Sequence, residues 1–240
     1  MGNGNKKKNR QPQEHINEAK TELDILIGGE IQFKPKNDNQ AAFCELIEGK
    51  EIIICSGPAG VGKSMISVIK ALELLRAPKN EFYKIIIATP AVEADEHLGF
   101  LPGDIDEKMA PYIYSTLYLF EKAIGKSRVK SLMERNYIQV IPLAYMRGIN
   151  IDNAIVIAEE FQNATPRQVK TLLTRIGHHS KFIMSGDLEQ SDRYDKTEKC
   201  GLYDALKRLD GIEEIGVFKF DEKDIVRNRV IGKILEKYKD

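Results

Sequence analysis

The chain has 240 residues, 42% hydrophobic and 30% charged, enough for one large α/β domain or two small ones. Its 36 basic and 36 acidic residues cancel, which excludes a global basic field and confines any nucleic-acid site to a local patch. There is no run long enough to span a membrane, no signal-peptide core, and no pairing or metal-type spacing among Cys44, Cys55 and Cys200, so a cytoplasmic protein with reduced thiols is expected.

Residues 1–13 are polar and carry Lys6, Lys7, Lys8 and Arg10, the composition of a flexible basic tail. A short helix is expected over Glu14–Leu26, ended by Gly28 and Gly29. Tail and helix, residues 1–30, are read apart from a domain over 31–240. Asp38–Ile47 reads as another helix, stopped by Gly49. From Glu51 the pattern alternates. Apolar runs at Ile52–Ser56, Lys84–Ala88, Tyr137–Ile141, Ala154–Ala158, Lys181–Ser185 and Ile215–Phe220 predict strands. Helices are expected between most of them, at Lys63–Arg76, Ile105–Ile124, Val129–Arg135, Pro166–Ile176 and Leu202–Leu209. Thr165 and Pro166 supply start signals for the fourth, and Gly177 a stop. Continuous apolar strands alternating with helices predict a mostly parallel sheet covered on both faces, with ligands at the carboxyl ends of the strands.

The first strand leads into Gly57, Pro58, Ala59, Gly60, Val61, Gly62, Lys63 and Ser64, which fit the phosphate-loop pattern G-x-x-x-x-G-K-[ST] between a strand and a helix. Glycines let successive N–H groups converge on a phosphate, and the helix adds its positive end. Lys63 would reach the β- and γ-phosphates, and Ser64 would ligate Mg²⁺. The fourth strand ends in Glu159 and Glu160. The first acid would hold the metal through water, and the second would orient or deprotonate the attacking water. The fifth strand ends in Ser185-Gly186-Asp187-Leu188-Glu189-Gln190, where Gln190 could sense a γ-phosphate. Gln40 carries an amide able to pair with adenine. The long connection 90–104 mixes Gly, Pro and acids, and its His97, with no second His nearby, reads as structural.

The ordered strings GPAGVGKS, TPAVEADEHLGFLPGD, PLAYMRGINIDNAIVIAEEFQN, LLTRIGHHSKFIMSGDLEQSD and DIVRNRV closely resemble the PhoH-like ATPase family, over residues 31–230. The resemblance implies one P-loop NTPase domain with a RecA-like core related to superfamily 1 helicases. It also implies ATP hydrolysis, a link to RNA unwinding or processing, and a link to phosphate starvation. Bacteriophages carry short one-domain versions, and this chain looks like one. Three positions depart from the family pattern. Glu159 stands where Asp is usual, which is expected to weaken metal binding; Thr89 replaces an Arg of the Thr-Arg-Pro string; and Phe161 stands where Ala is common.

Charge developing on the transferred phosphoryl group calls for a further cation. With no second helicase domain expected, a neighbouring subunit is the natural donor, which calls for a head-to-tail homo-oligomeric ring, expected as a hexamer. Arg147, Arg175 and, foremost, Arg227 in DIVRNRV are the candidates. Single-stranded RNA is the expected polymer partner, met by the tail lysines and the Tyr145-Met146-Arg147 loop. An ATP-dependent assembly switch with weak hydrolysis is the alternative, and a small-molecule kinase a further one that lacks a clear Arg-rich lid.

Overall fold

The computed structural model describes residues 20–90, 105–191 and 200–226. Its centre is a six-stranded sheet made of β1 (Ile52–Ser56), β2 (Lys84–Thr89), β3 (Ile138–Pro142), β4 (Ala154–Ala158), β5 (Lys181–Gly186) and β6 (Ile215–Lys219), in the order β3-β2-β4-β5-β1-β6. All five neighbouring pairs are parallel. The helices are α1 over residues 20–27, α2 (Asp38–Gly49), α3 (Lys63–Arg76), α4 (Ile105–Ile124), α5 (Lys126–Glu134), α6 (Pro166–Leu173) and α7 (Gly201–Arg208).

Period-two alternation along each strand divides the core. Ile53, Cys55, Ile85, Ile87, Ile155, Ile157 and Ile183 face one way, against α1 to α5. Ile52, Ile54, Ile86, Val156, Phe182 and Met184 face the other way, against α6 and α7. Helices therefore cover both faces, and the strands are buried apolar runs for that reason. The P-loop α/β fold expected from the sequence is the one observed.

Several boundaries differ from the sequence reading by one to three residues, and α5 opens at Lys126 rather than Val129. Helix α1 joins the main core: Leu23 and Ile27 are fully buried, and the Lys20 ammonium donates to the carbonyls of Leu75 and Phe82 at 2.7 Å each. The packed unit thus begins upstream of residue 31. Helix α6 stops at Leu173 rather than Ile176. Beyond it the turn tightens, with Arg175 N–H bonding Leu172 and Ile176 N–H bonding Leu173, and Ile176 then pairs with Ile151. Gly177 is required by close approach: a β-carbon there would lie 1.9 Å from Asp152 Oδ1 and 2.8 Å from the Ile151 carbonyl.

The strand order sets out the functional ends. β5 lies between β1 and β4, so the segments leaving the carboxyl ends of these three strands are neighbours. These are the three segments that carry the phosphate-loop, acidic and Gly-Asp-Leu-Glu-Gln strings.

Candidate active site

The loop from Gly57 to Gly62 joins β1 to α3. Gly60 and Gly62 have φ of 98° and 100°, left-handed conformations that glycine adopts without penalty. Lys63 and Ser64 open α3. The Lys63 ammonium donates to the carbonyls of Gly57 and Pro58, the latter at 3.0 Å, folding back over its own loop. Burial holds its pKa below the usual lysine value, while Asp187, Glu160 and Glu159 act on it as opposing charges.

Glu159 follows β4 directly and is only 9% exposed. One carboxylate oxygen accepts from Thr116 Oγ1 of α4 at 2.9 Å; the other, Oε1, is enclosed and has no hydrogen-bond partner. Burial pushes its pKa up to about 7, against the stabilising hydroxyls of Thr116 and Ser64; the Glu160 charge raises it further, and Lys63 lowers it. A second orphan, the buried Thr89 hydroxyl, lies one residue past the Ala88–Ala158 pair of β2 and β4.

Glu160 is exposed and has a left-handed backbone, φ 58°. Its Oε2 accepts from Gln162 Nε2 at 2.7 Å. Gln162 is buried, and its Oε1 accepts from Asp187 N–H at 3.3 Å, so one amide links the β4 and β5 segments. Asp187 binds the third segment too: Oδ2 accepts from Ala59 N–H of the phosphate loop at 3.1 Å and from Gln190 Nε2 at 2.7 Å. Gln190 is thereby positioned by Asp187 while remaining exposed.

Gln40 is 1% exposed, and both ends of its amide are engaged. Oε1 accepts from Lys36 N–H at 2.9 Å, and Nε2 donates to the Val61 carbonyl at 2.8 Å. It braces the phosphate loop from α2. Asn39 on the same helix holds Asp224, and Val226 N–H donates to the Gly60 carbonyl at 3.2 Å. Arg227, His97 and nearly all of the 90–104 string lie outside the described residues.

The structure thus gathers Lys63, Ser64, Glu159, Glu160 and Gln190 at one end of the sheet. Thr116 belongs to the same cluster, yet nothing in the sequence marks it; Gln162 and Asp187 stood inside recognised strings without an assigned role. Residues 32–239 match the family model described as PhoH-like protein. The chain belongs to the PhoH-like family. It is 41% identical over 203 residues to a PhoH-like protein of Bacillus subtilis, covering 85% of this chain and 63% of that one. A PhoH-like protein of Synechocystis is 39% identical over 229 residues, covering 94% and 68%. Protein PhoH of Escherichia coli is 38% identical over 205 residues, covering 85% and 57%. The chain spans about three-fifths of the length of these relatives.

Among the described residues, no three His, Cys, Asp or Glu side chains gather as a metal site. What this PhoH-like chain offers is one hydroxyl, Ser64, beside one carboxylate with an orphaned buried oxygen, Glu159. A sparse, hard-oxygen donor set of this kind fits Mg²⁺, which keeps several waters and takes its remaining ligands from phosphates. No helix among the described residues is long and apolar enough to cross a membrane.

Glu159 also predicts a pH dependence of stability. The carboxyl rises from 4.5 to about 7 on folding, so its contribution is fully present below about pH 4.5 and is lost as the pH climbs towards 7. The separation is worth on the order of 3 kcal/mol. In magnesium-free buffer the Glu159→Gln variant should gain several degrees of thermal midpoint on the parent between pH 5 and pH 8. Parallel pH profiles for the two proteins would refute this.

Proposed function

We propose that the chain binds ATP with Mg²⁺ on the loop Gly57–Ser64 and hydrolyses it. The observation that carries this reading is the pairing of that loop with Ser64 and the orphaned Glu159 oxygen, flanked by Glu160 and Gln190. Bound Mg²⁺ would be held by Ser64 and, through water, Glu159, and would offset charge on the phosphate oxygens. Lys63 leaves the Gly57 and Pro58 carbonyls to meet the β- and γ-phosphates. Glu160, held by Gln162, orients the attacking water and takes its proton. Gln190, held by Asp187, contacts the γ-phosphate. Adenine contact at Gln40 would use the second hydrogen on Nε2 and the second lone pair on Oε1.

The electrostatics call for help from outside the cluster. Glu159, Glu160 and Asp187 surround one ammonium, and a triphosphate adds more negative charge. Beyond Mg²⁺, we assign the missing cation to an arginine of a neighbouring copy, Arg227 foremost, in a ring of this chain. Work on single-stranded RNA is the proposed output. A second reading, an ATP-dependent assembly switch with slow hydrolysis, is favoured by the raised pKa of Glu159, which weakens its hold on a metal near neutral pH.

One experiment separates these readings: phosphate release with and without single-stranded RNA, beside the assembly mass with and without ATP. The motor reading expects RNA to raise the rate and ATP to assemble rings. Assembly with ATP at an unchanged, slow rate selects the switch, and no phosphate release under any condition removes hydrolysis altogether.

A further inference from the structure

We propose that the groove between α6 and the segment leaving β3 binds the sugar-phosphate backbone of a single-stranded nucleic acid. This rests on the polynucleotide half of the function proposed above and gives it a location. The groove has a volume of about 460 Å³, and its lining includes Arg147, Arg167, Lys170 and Arg175 together with Thr171 and Thr174. Four cations and two hydroxyls line it, with no acid.

The surrounding sequence is as one-sided. The protein is neutral overall, yet from Phe161 to Gly186 there is no Asp or Glu, and from Leu143 to Ile151 there is none either. The nearest acid in the chain, Asp152, is turned to local work, accepting from His178 N–H at 2.8 Å. Arg147, Arg167 and Lys170 are exposed, and among the described residues none of the four groove cations forms an ion pair. Arg175 is half-buried, and its Nε is enclosed without any hydrogen-bond partner. Its Nη atoms reach only the Ile149 carbonyl and Thr174 Oγ1, at 3.4 Å each. Those weakly held Nη atoms, beside three unpaired cations, are the part of the guanidinium that an anion from outside would meet.

The geometry selects a polymer. Arg167 and Lys170 stand about one turn apart on α6 and Arg175 lies just past its end, so cations repeat along the groove, while Thr171 and Thr174 spend their hydroxyl protons on the carbonyls of Arg167 and Lys170. A repeated charge matches such a ladder; a single small anion would use one rung. Tyr145 and Ile149, on either side of Arg147 in the chain, are 59% and 41% exposed, an aromatic face and an apolar face beside the cations. Bases stack on such faces without regard to sequence, which favours a nucleic acid over an acidic protein segment. Helix α6 also begins shortly after Glu160, with Thr165 as its cap, so this groove and the acids of the nucleotide site are joined by a short stretch of chain.

The test measures binding of fluorescent 20-residue single-stranded RNA and DNA by anisotropy, over a range of salt, on the full chain. The variant is Arg167→Ala with Lys170→Ala, both exposed and outside the nucleotide cluster. The parent should bind, and the variant should bind about 10-fold more weakly near 0.1 M salt, with the slope of log affinity against log salt reduced by between one and two. Fluorescent ATP binding should be unchanged. Loss with both RNA and DNA supports the shared phosphodiester chemistry, and a larger loss with RNA assigns the 2′-hydroxyl a part. A parent that binds while the variant matches it in affinity and slope overturns the groove and leaves the polynucleotide reading standing. A parent that binds neither polymer overturns both. Displacement of the oligonucleotide by polyglutamate as readily as by unlabelled oligonucleotide overturns the proposal in favour of an acidic protein partner.

Discussion

Replacing Lys63 with Ala is expected to lower ATP turnover at least about a hundredfold, and to weaken nucleotide binding with it. Lys63 is the one basic side chain among the described residues that acts on Glu159, and it faces Glu160 and Asp187 as well. Without it, phosphates would enter a cluster of carboxylates with no ammonium to offset them. Stability should change little, because burial of the ammonium is itself unfavourable and only loop carbonyls lose a partner. Phosphate release at saturating ATP, fluorescent-nucleotide titration and the thermal midpoint read the three effects. Turnover within threefold of the parent would sink the proposed role.

Gly57→Ala should damage both the fold and the loop. A β-carbon at 57 would stand 2.6 Å from Phe220 Cβ, 3.1 Å from the Phe220 carbonyl oxygen and 3.2 Å from its Cα. Phe220 cannot retreat. Its N–H is bonded to Ser56 at 2.8 Å, and its ring packs against Phe218 and Phe43 with centroids 4.8 and 5.3 Å away. Such overpacking costs about 1–3 kcal/mol, about 2–4 °C of thermal midpoint per kcal/mol in a chain of this size. The loop would shift to relieve the contact, and ATP affinity would fall. Shortening the neighbour with Phe220→Ala will not restore either property, because the colliding atoms are Cβ and backbone. An unchanged midpoint together with unchanged affinity in Gly57→Ala would contradict this account.

The elements were legible in the sequence where one physical signal dominated. Ile52–Ser56 and Ala154–Ala158 are unbroken apolar runs, and both strands have those bounds. Strand order was not legible. Placing β5 between β1 and β4 is a choice of crossovers, settled by pairing between residues 130 positions apart for β1 with β5 and 26 apart for β4 with β5. The parts of the candidate site that escaped notice depend on that choice. Gln162 stands inside a recognised string but has no legible role until the β5 segment brings Asp187 N–H to its side-chain amide oxygen. Thr116 is an unremarkable mid-helix threonine until α4 packs it against Glu159. Gln40 illustrates the converse: a free amide on a helix in the sequence, it proves to be braced at both ends beneath the phosphate loop.

Glu160 is held in a left-handed conformation, and a residue with a β-carbon gives up on the order of 1 kcal/mol to stay there. Glycine is spared that steric strain, though it loses more backbone freedom on folding. Selection for heat tolerance alone would therefore push this codon towards glycine and away from the carboxylate the proposed reaction uses. Durability and turnover pull position 160 in opposite directions, and a hardier descendant of this protein that changed here would be an inert one.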